Sequence, residues 1–180
     1  MRKVEPAKVY RLLYPSVPAV VAAFFSGEPF AMPVVSIIAL SNIPSLVGVS
    51  SSESHATFKA ILRARRFSVA WLDAEYRKAV EYLGSSSGSA VRDKLLASGL
   101  HYAVKGSPPV PMVEEARARL VCSVKEVRRY GDHELIVGHV REAEADQDFQ
   151  EYWNFKDYDP ILYTGLGRPG LGRSGRVRRL

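Results

Sequence analysis

The chain has 180 residues, 47% of them hydrophobic, which suffices for one packed domain and excludes a wholly disordered protein. Its formal charge is +6, but the final stretch GLGRPGLGRSGRVRRL carries five arginines and no acid, so of the chain's 25 basic residues 20 remain against 19 acidic ones. A nearly neutral body argues against a nucleic-acid-binding domain over residues 1–164 and sets 165–180 apart as a Gly/Arg-rich basic tail of the flexible kind.

In chain order, Pro6 to Leu13 reads as a short leading helix. Val17 to Ser26 is an apolar run. Pro15, Pro18 and Glu5 in its lead-in speak against a signal peptide, and the run is too short to span a bilayer. It reads as a buried strand, and the protein as cytoplasmic. Phe30–Leu40 and Ser45–Ser51 read as two further strands, with SGEP and SNIP as the turns before each. From Ser54 to Arg65 the period turns helical, with Phe58, Ile61 and Leu62 on one face and arginines at the end, where cations suit the helix dipole. FSVAWL (Phe67–Leu72) reads as a strand. Asp73 is placed to cap a helix over Ala74–Leu83 that Gly84 ends, and Ser89 to cap a second helix ending at Gly99. GSPPVP is rigid connector. ARARLVCSVKEV and ELIVGHV flank the hairpin turn YGDH, and DPILYTG is a late segment that closes the sheet. About six strands with helices in their connections predict a mainly β fold, an antiparallel barrel with helical insertions.

The single cysteine, Cys122, sits inside an apolar alternation and reads as a core residue. Asn and Gln number only four, a scarcity that fits a heat-adapted source. GLGRPG matches a dinucleotide-binding pattern in letters alone, because Pro169 blocks the helix that the motif must open. The four histidines show no metal-ligand spacing, and no metal is expected.

One stretch carries chemistry. In GVSSSESHATFKAI a strand ends, Ser50, Ser51, Ser52 and Ser54 follow, and a helix begins at His55 and Thr57. A helix N-terminus presents unpaired N–H groups and about half a positive charge, and hydroxyls add donors at short reach; together they make an anion site. The competing reading is that one serine caps the helix and the others are solvated.

Several segments in order resemble one family. YPSVPAVVAA, AMPVVSIIALSNIPSLVGVS, SHAT, SSGSAVRDKL, VPMVEEARARLVC and GDHELIVGHV resemble, in sequence, segments of the flavin reductase-like, FMN-binding split-barrel family over Tyr14 to Gly165. The resemblance implies a split β-barrel and FMN as cofactor. It implies that Ser54, His55 and Thr57 bind the FMN phosphate with Ser50, Ser51 and Ser52 nearby. Val34, Val35 and Ser36 would then line the isoalloxazine with backbone and small side chains, and Asp93 and Lys94 would lie near the site. The implied activity is that of an NAD(P)H oxidoreductase of the flavin reductase type, with NADH or NADPH as donor and an unidentified acceptor protein or monooxygenase. A homodimer is expected, with no membrane and no nucleic acid as partner. The alternatives are a flavin carrier or sensor without turnover, and an RNA-associated barrel acting through the tail. No acid, base or nucleophile is assigned, since the cofactor carries the reaction.

Overall fold

The structure is a computed structural model and describes residues 1, 3–86 and 91–165. The basic tail beyond Gly165 and the Ser89 cap therefore lie outside the described residues. Among the described residues nine strands form: β1 (Ala19–Phe25), β2 (Glu28–Val34), β3 (Ile37–Ser41), β4 (Leu46–Ser51), β5 (Arg66–Leu72), β6 (Tyr102–Lys105), β7 (Val110–Val113), β8 (Ala116–Tyr130) and β9 (His133–Ala145). The described residues also hold the α-helices α1 (Ala56–Ala64), α2 (Arg77–Ser85) and α3 (Lys94–Ala97), and a 3-10 segment spans Pro6–Leu13.

Seven strands make one antiparallel sheet in the order β2-β1-β5-β8-β9-β4-β3. Its two edges, β2 and β3, are consecutive in the chain, separated only by Val35 and Ser36. A flat sheet of this size would be about 29 Å wide, from six steps of about 4.8 Å. A link of three Cα steps spans at most about 11 Å. The sheet must therefore curl until its edges approach, and the chain itself, rather than a β2–β3 ladder, joins them. That is a split barrel. Ser50 N–H donates to Ser36 carbonyl at 2.9 Å and extends the β3–β4 pairing into the junction.

β1 explains the long apolar run. Alternate residues point to opposite faces of a strand. Ala19, Val21 and Ala23 enter the barrel interior with Phe58, Ile61, Phe67, Val69 and Ile136. Val20 and Ala22 face a second core with Val80 and Leu83 of α2, Leu95 of α3 and Leu100. Both faces are buried, so the strand carries no polar alternation. Ser26 and Gly27, both at positive φ, make the two-residue turn into β2.

The predicted strand Phe30–Leu40 is two strands. β2 pairs with β1 and β3 with β4, so the chain changes sheet edge at Val35–Ser36. α1 buries Thr57, Phe58, Ala60 and Ile61, and Arg65 ends it in the left-handed region. Asp73 caps a 3-10 turn ahead of α2 by accepting from Glu75 N–H, and α2 runs through Gly84 to Ser85. Asp93 caps α3 by accepting from Leu96 N–H. GSPPVP is only partly connector: Val110–Val113 pairs with β6 in a small second sheet. β8 and β9 form a long hairpin turning at Gly131–Asp132. Gly138 in β9 lets Phe67 pack against the strand, since a Cβ there would lie 2.6 Å from Phe67 Cζ. Cys122 is buried, and desolvation pushes its thiol up to about 12.

The late segment does not add a strand. Residues 146–163 cross the barrel end as a strap, joined to the body by bridges at Asp73–Pro160 and Ser16–Tyr163 and by Asp146 N–H donating to Arg117 carbonyl at 2.9 Å. Polar ties hold it. Arg117 reaches Asp146 at 2.8 Å and Asp73 at 3.2 Å, and Asp73 also accepts from Asp159 N–H at 3.1 Å.

Candidate functional site

The edge change at Val35–Ser36 opens a cleft of about 1200 Å³. One wall is the junction and its neighbour strand, with Val35, Ser36, Gly48 and Ser50. The opposite wall comes from the leading 3-10 segment, with Tyr10, Leu13 and Tyr14, and the hairpin turn supplies Asp132 and His133. Gly48 keeps the floor low, since a Cβ there would lie 3.1 Å from both Leu135 and Leu40 side chains.

Strand alternation divides the serines. Ser50 lines the cleft, whereas Ser51 turns inward and is buried. The Ser51 hydroxyl lies 3.0 Å from His55 Nδ1, and it donates weakly to Met32 sulfur at 4.0 Å. Next along the chain, the Ser52 and Ser54 hydroxyls are 2.9 Å apart, and Ser54 N–H donates to Ser52 Oγ at 3.3 Å. His55 is the N-cap of α1 but makes no side-chain cap bond. The serines thus bond one another and His55 instead of capping α1, and the first turn of α1 keeps its donor end, with Thr57 on it. Glu53 is drawn aside by Arg129, 3.9 Å away.

Of the expected contacts, Val35, Ser36 and Ser50 come together in the cleft, whereas Ser51, Ser52, Ser54, His55 and Thr57 are not among its lining residues and form the turn from β4 into α1. Val34 points the other way: its side chain is in the barrel core, which leaves only its backbone toward the junction. Lys94 is buried and spends its ammonium on Leu83 carbonyl, 2.7 Å away, tying α3 to the end of α2; desolvation lowers its pKa. Asp93 is engaged by the Tyr102 hydroxyl at 2.7 Å as well as by its capping bond.

The sequence reading missed Tyr10, Tyr14, Ser16, Asp132 and His133. The polar Asp132–His133 pair at the tip of a long hairpin was a usable signal. His133 Nδ1 lies 3.0 Å from Asp132 and holds that carboxyl below the usual carboxylate range. Ser16 had no sequence signal. Its hydroxyl is buried beside the cleft and has no hydrogen-bond partner among the described residues. Burial raises the pKa of Tyr14, whose ring packs edge-on to Tyr163 at 4.7 Å.

The curled antiparallel sheet, its edges joined by the chain, defines the protein as a split barrel. A model of the flavin reductase like domain matches residues 10–165, and the chain belongs to that family. An FMN-binding protein from Thermus thermophilus, solved with bound 1-cyclohex-2-enone, is 31% identical with a TM-score of 0.78 and covers 100% of this chain and 98% of its own. A flavin reductase (NADPH) from Lentzea aerocolonigenes is 28% identical over 148 residues, 81% of this chain and 83% of its own length. An uncharacterized protein from Aeropyrum pernix is 26% identical over 172 residues; the match spans 94% of this chain but 65% of that relative's length.

Proposed function

We propose that the protein is an FMN-dependent NAD(P)H oxidoreductase of the flavin reductase type. The observation that carries this reading is the cleft wall of Val35, Ser36 and Ser50, from which the chain runs directly through the serine turn to the start of α1. When bound, FMN accepts hydride from reduced nicotinamide and passes electrons onward. The chain's own groups do the binding and orienting. Ser52, Ser54 and Thr57, with the first-turn N–H groups of α1, hold the phosphate. The Val35 and Ser36 backbone and the Ser50 side chain support the ring system. The Ser51–His55 bond fixes the turn that presents the serines. The Ser16 hydroxyl meets a polar atom of the ligand, and His133 faces the open side, where the nicotinamide enters. Lys94 supports the fold from behind and makes no ligand contact.

A cytoplasmic homodimer fits the same reading. Leu12, Leu13, Ile38 and Ile43 are exposed large hydrophobics, and Leu13 and Ile38 line the cleft itself. Burying such a cluster against a second copy removes apolar area from water and encloses the flavin. No helix among the described residues is long and apolar enough to cross a membrane.

The test is spectroscopic. Protein incubated with FMN and desalted should stay yellow, and anaerobic NADH or NADPH should bleach the flavin bands in a stopped-flow mixer. A colourless protein refutes flavin binding. A yellow protein that neither nucleotide bleaches refutes turnover and leaves a carrier.

A further inference from the structure

A second hollow lies at the opposite end of the β8–β9 hairpin. The cleft sits at the hairpin tip, near His133, whereas the hollow is lined by Ala118 of β8 and Ala143 of β9. Ten residue steps, about 33 Å of strand, run from His133 to Ala143, although the two hollows come close at the lead-in to β1, where Ser16 lines the cleft and Val17 the hollow. The hollow has a volume of about 580 Å³ and lies between the barrel mouth, with Trp71 and Leu120, and the strap, with Phe149, Trp153, Phe155 and Tyr158.

Hydrogen bonds and ring packing tie the strap together. Asp148 is buried and its carboxylate accepts from Lys156 N–H at 3.1 Å and Tyr158 N–H at 3.2 Å. Trp153 packs on Tyr158 at 4.7 Å and on Phe149 at 5.3 Å. A segment that merely closed the barrel would fill the space, because protein interiors pack to crystal-like density. Here the same rings form a wall and leave the space open. Its volume falls within the range of small-molecule pockets. Glu144 is its single charged lining residue among those described, and Lys105 at 2.8 Å and Arg119 at 2.6 Å already neutralise it. A charged ligand finds no free counter-charge in the lining, whereas a flat apolar ring finds ring faces and edges.

We propose that this hollow is a binding site for an uncharged planar aromatic molecule of one or two rings. It stands apart from the flavin reading and does not depend on it. The preformed wall of rings leaves affinity to come mainly from buried area.

The experiment titrates the protein with 2-naphthol by calorimetry, with and without saturating FMN, and follows tryptophan emission. Both tryptophans of the chain, Trp71 and Trp153, line the hollow, so emission reports on it directly. The expected result is a Kd on the order of 10–100 μM, unchanged by FMN, with naphthalene-2-sulfonate binding at least about tenfold more weakly. Ala143→Trp fills the hollow and should weaken 2-naphthol at least tenfold with the fold intact by circular dichroism. If that variant does not fold, Phe149→Asp at the exposed rim should produce the same loss. No heat at 1 mM 2-naphthol overturns the proposal. So does heat abolished by FMN, which would put the ligand in the other cleft, or heat unchanged in both variants. A dimer that Ala143→Trp dissolves, with no 2-naphthol heat in the original protein, also overturns it and assigns the hollow to a second copy.

Discussion

Replacing Ser54 and Thr57 together by alanine isolates the phosphate grip from the rest of the cleft. Thr57 is 3% exposed on the first turn of α1, whereas the Ser54 hydroxyl is exposed and already 2.9 Å from Ser52 Oγ. A hydrogen bond to a charged group contributes about 1.5–3 kcal/mol. Ser54 gives up its bond to Ser52 when it turns to a phosphate, so it counts at the lower figure. The pair is then expected to cost about 3–4.5 kcal/mol, or about 150- to 2000-fold in Kd. Riboflavin has the same ring system and no phosphate, so its affinity should change by less than about threefold. Flavin fluorescence titrations with both ligands read the difference, and Thr57→Ser should restore part of the FMN affinity. The melting temperature of the variant separates binding from folding, because Thr57 is a buried residue. Equal losses for FMN and riboflavin would refute the grip and make the corner a purely structural turn.

Three further outcomes follow from the packing. Lys94→Met removes the ammonium that donates to Leu83 carbonyl but should leave FMN affinity within about twofold; a tenfold loss in the same titration would place Lys94 in the site. Gly138→Ala drives a methyl into Phe67 and should destabilise by about 1–3 kcal/mol, lowering the thermal midpoint by several degrees; an unchanged midpoint would mean Phe67 moves freely. Asp148 concerns pH. Burial pushes its carboxyl up, but the backbone N–H groups of Lys156 and Tyr158 outweigh this and hold it below the ordinary value. A depressed folded pKa adds stability above the unfolded carboxylate pKa and loses it as pH falls through the folded pKa. Asp148→Asn should therefore lower stability at neutral pH and flatten the acid limb of a denaturation-against-pH curve; a parallel downward shift with the limb unchanged would deny the carboxylate that role.

Much of the molecule was legible before any fold was known. Periodicity and turn residues found β1, β4, β5, the β8–β9 hairpin and α1, because each rests on local rules: two-residue turns, helical spacing and strand alternation. The hydroxyl corner at Ser50–Thr57 was legible for the same reason, as a strand end, donors and a helix start within one short stretch. Other features depend on contacts distant in sequence. Phe30–Leu40 is one apolar run by composition, and only the pairing of β2 with β1 and of β3 with β4 cuts it at Val35–Ser36 and opens the cleft. Val34 and Val35 are identical neighbours, yet one points into the barrel and the other toward the cleft, because alternation assigns faces only once the sheet has curled. Lys94 enters the expected site only by resemblance, and its bond to Leu83 carbonyl appears only once α3 packs on the end of α2. Tyr14, Ser16 and His133 meet across more than a hundred residues of chain, a proximity that no local pattern encodes and that hydrophobic closure of the barrel produces.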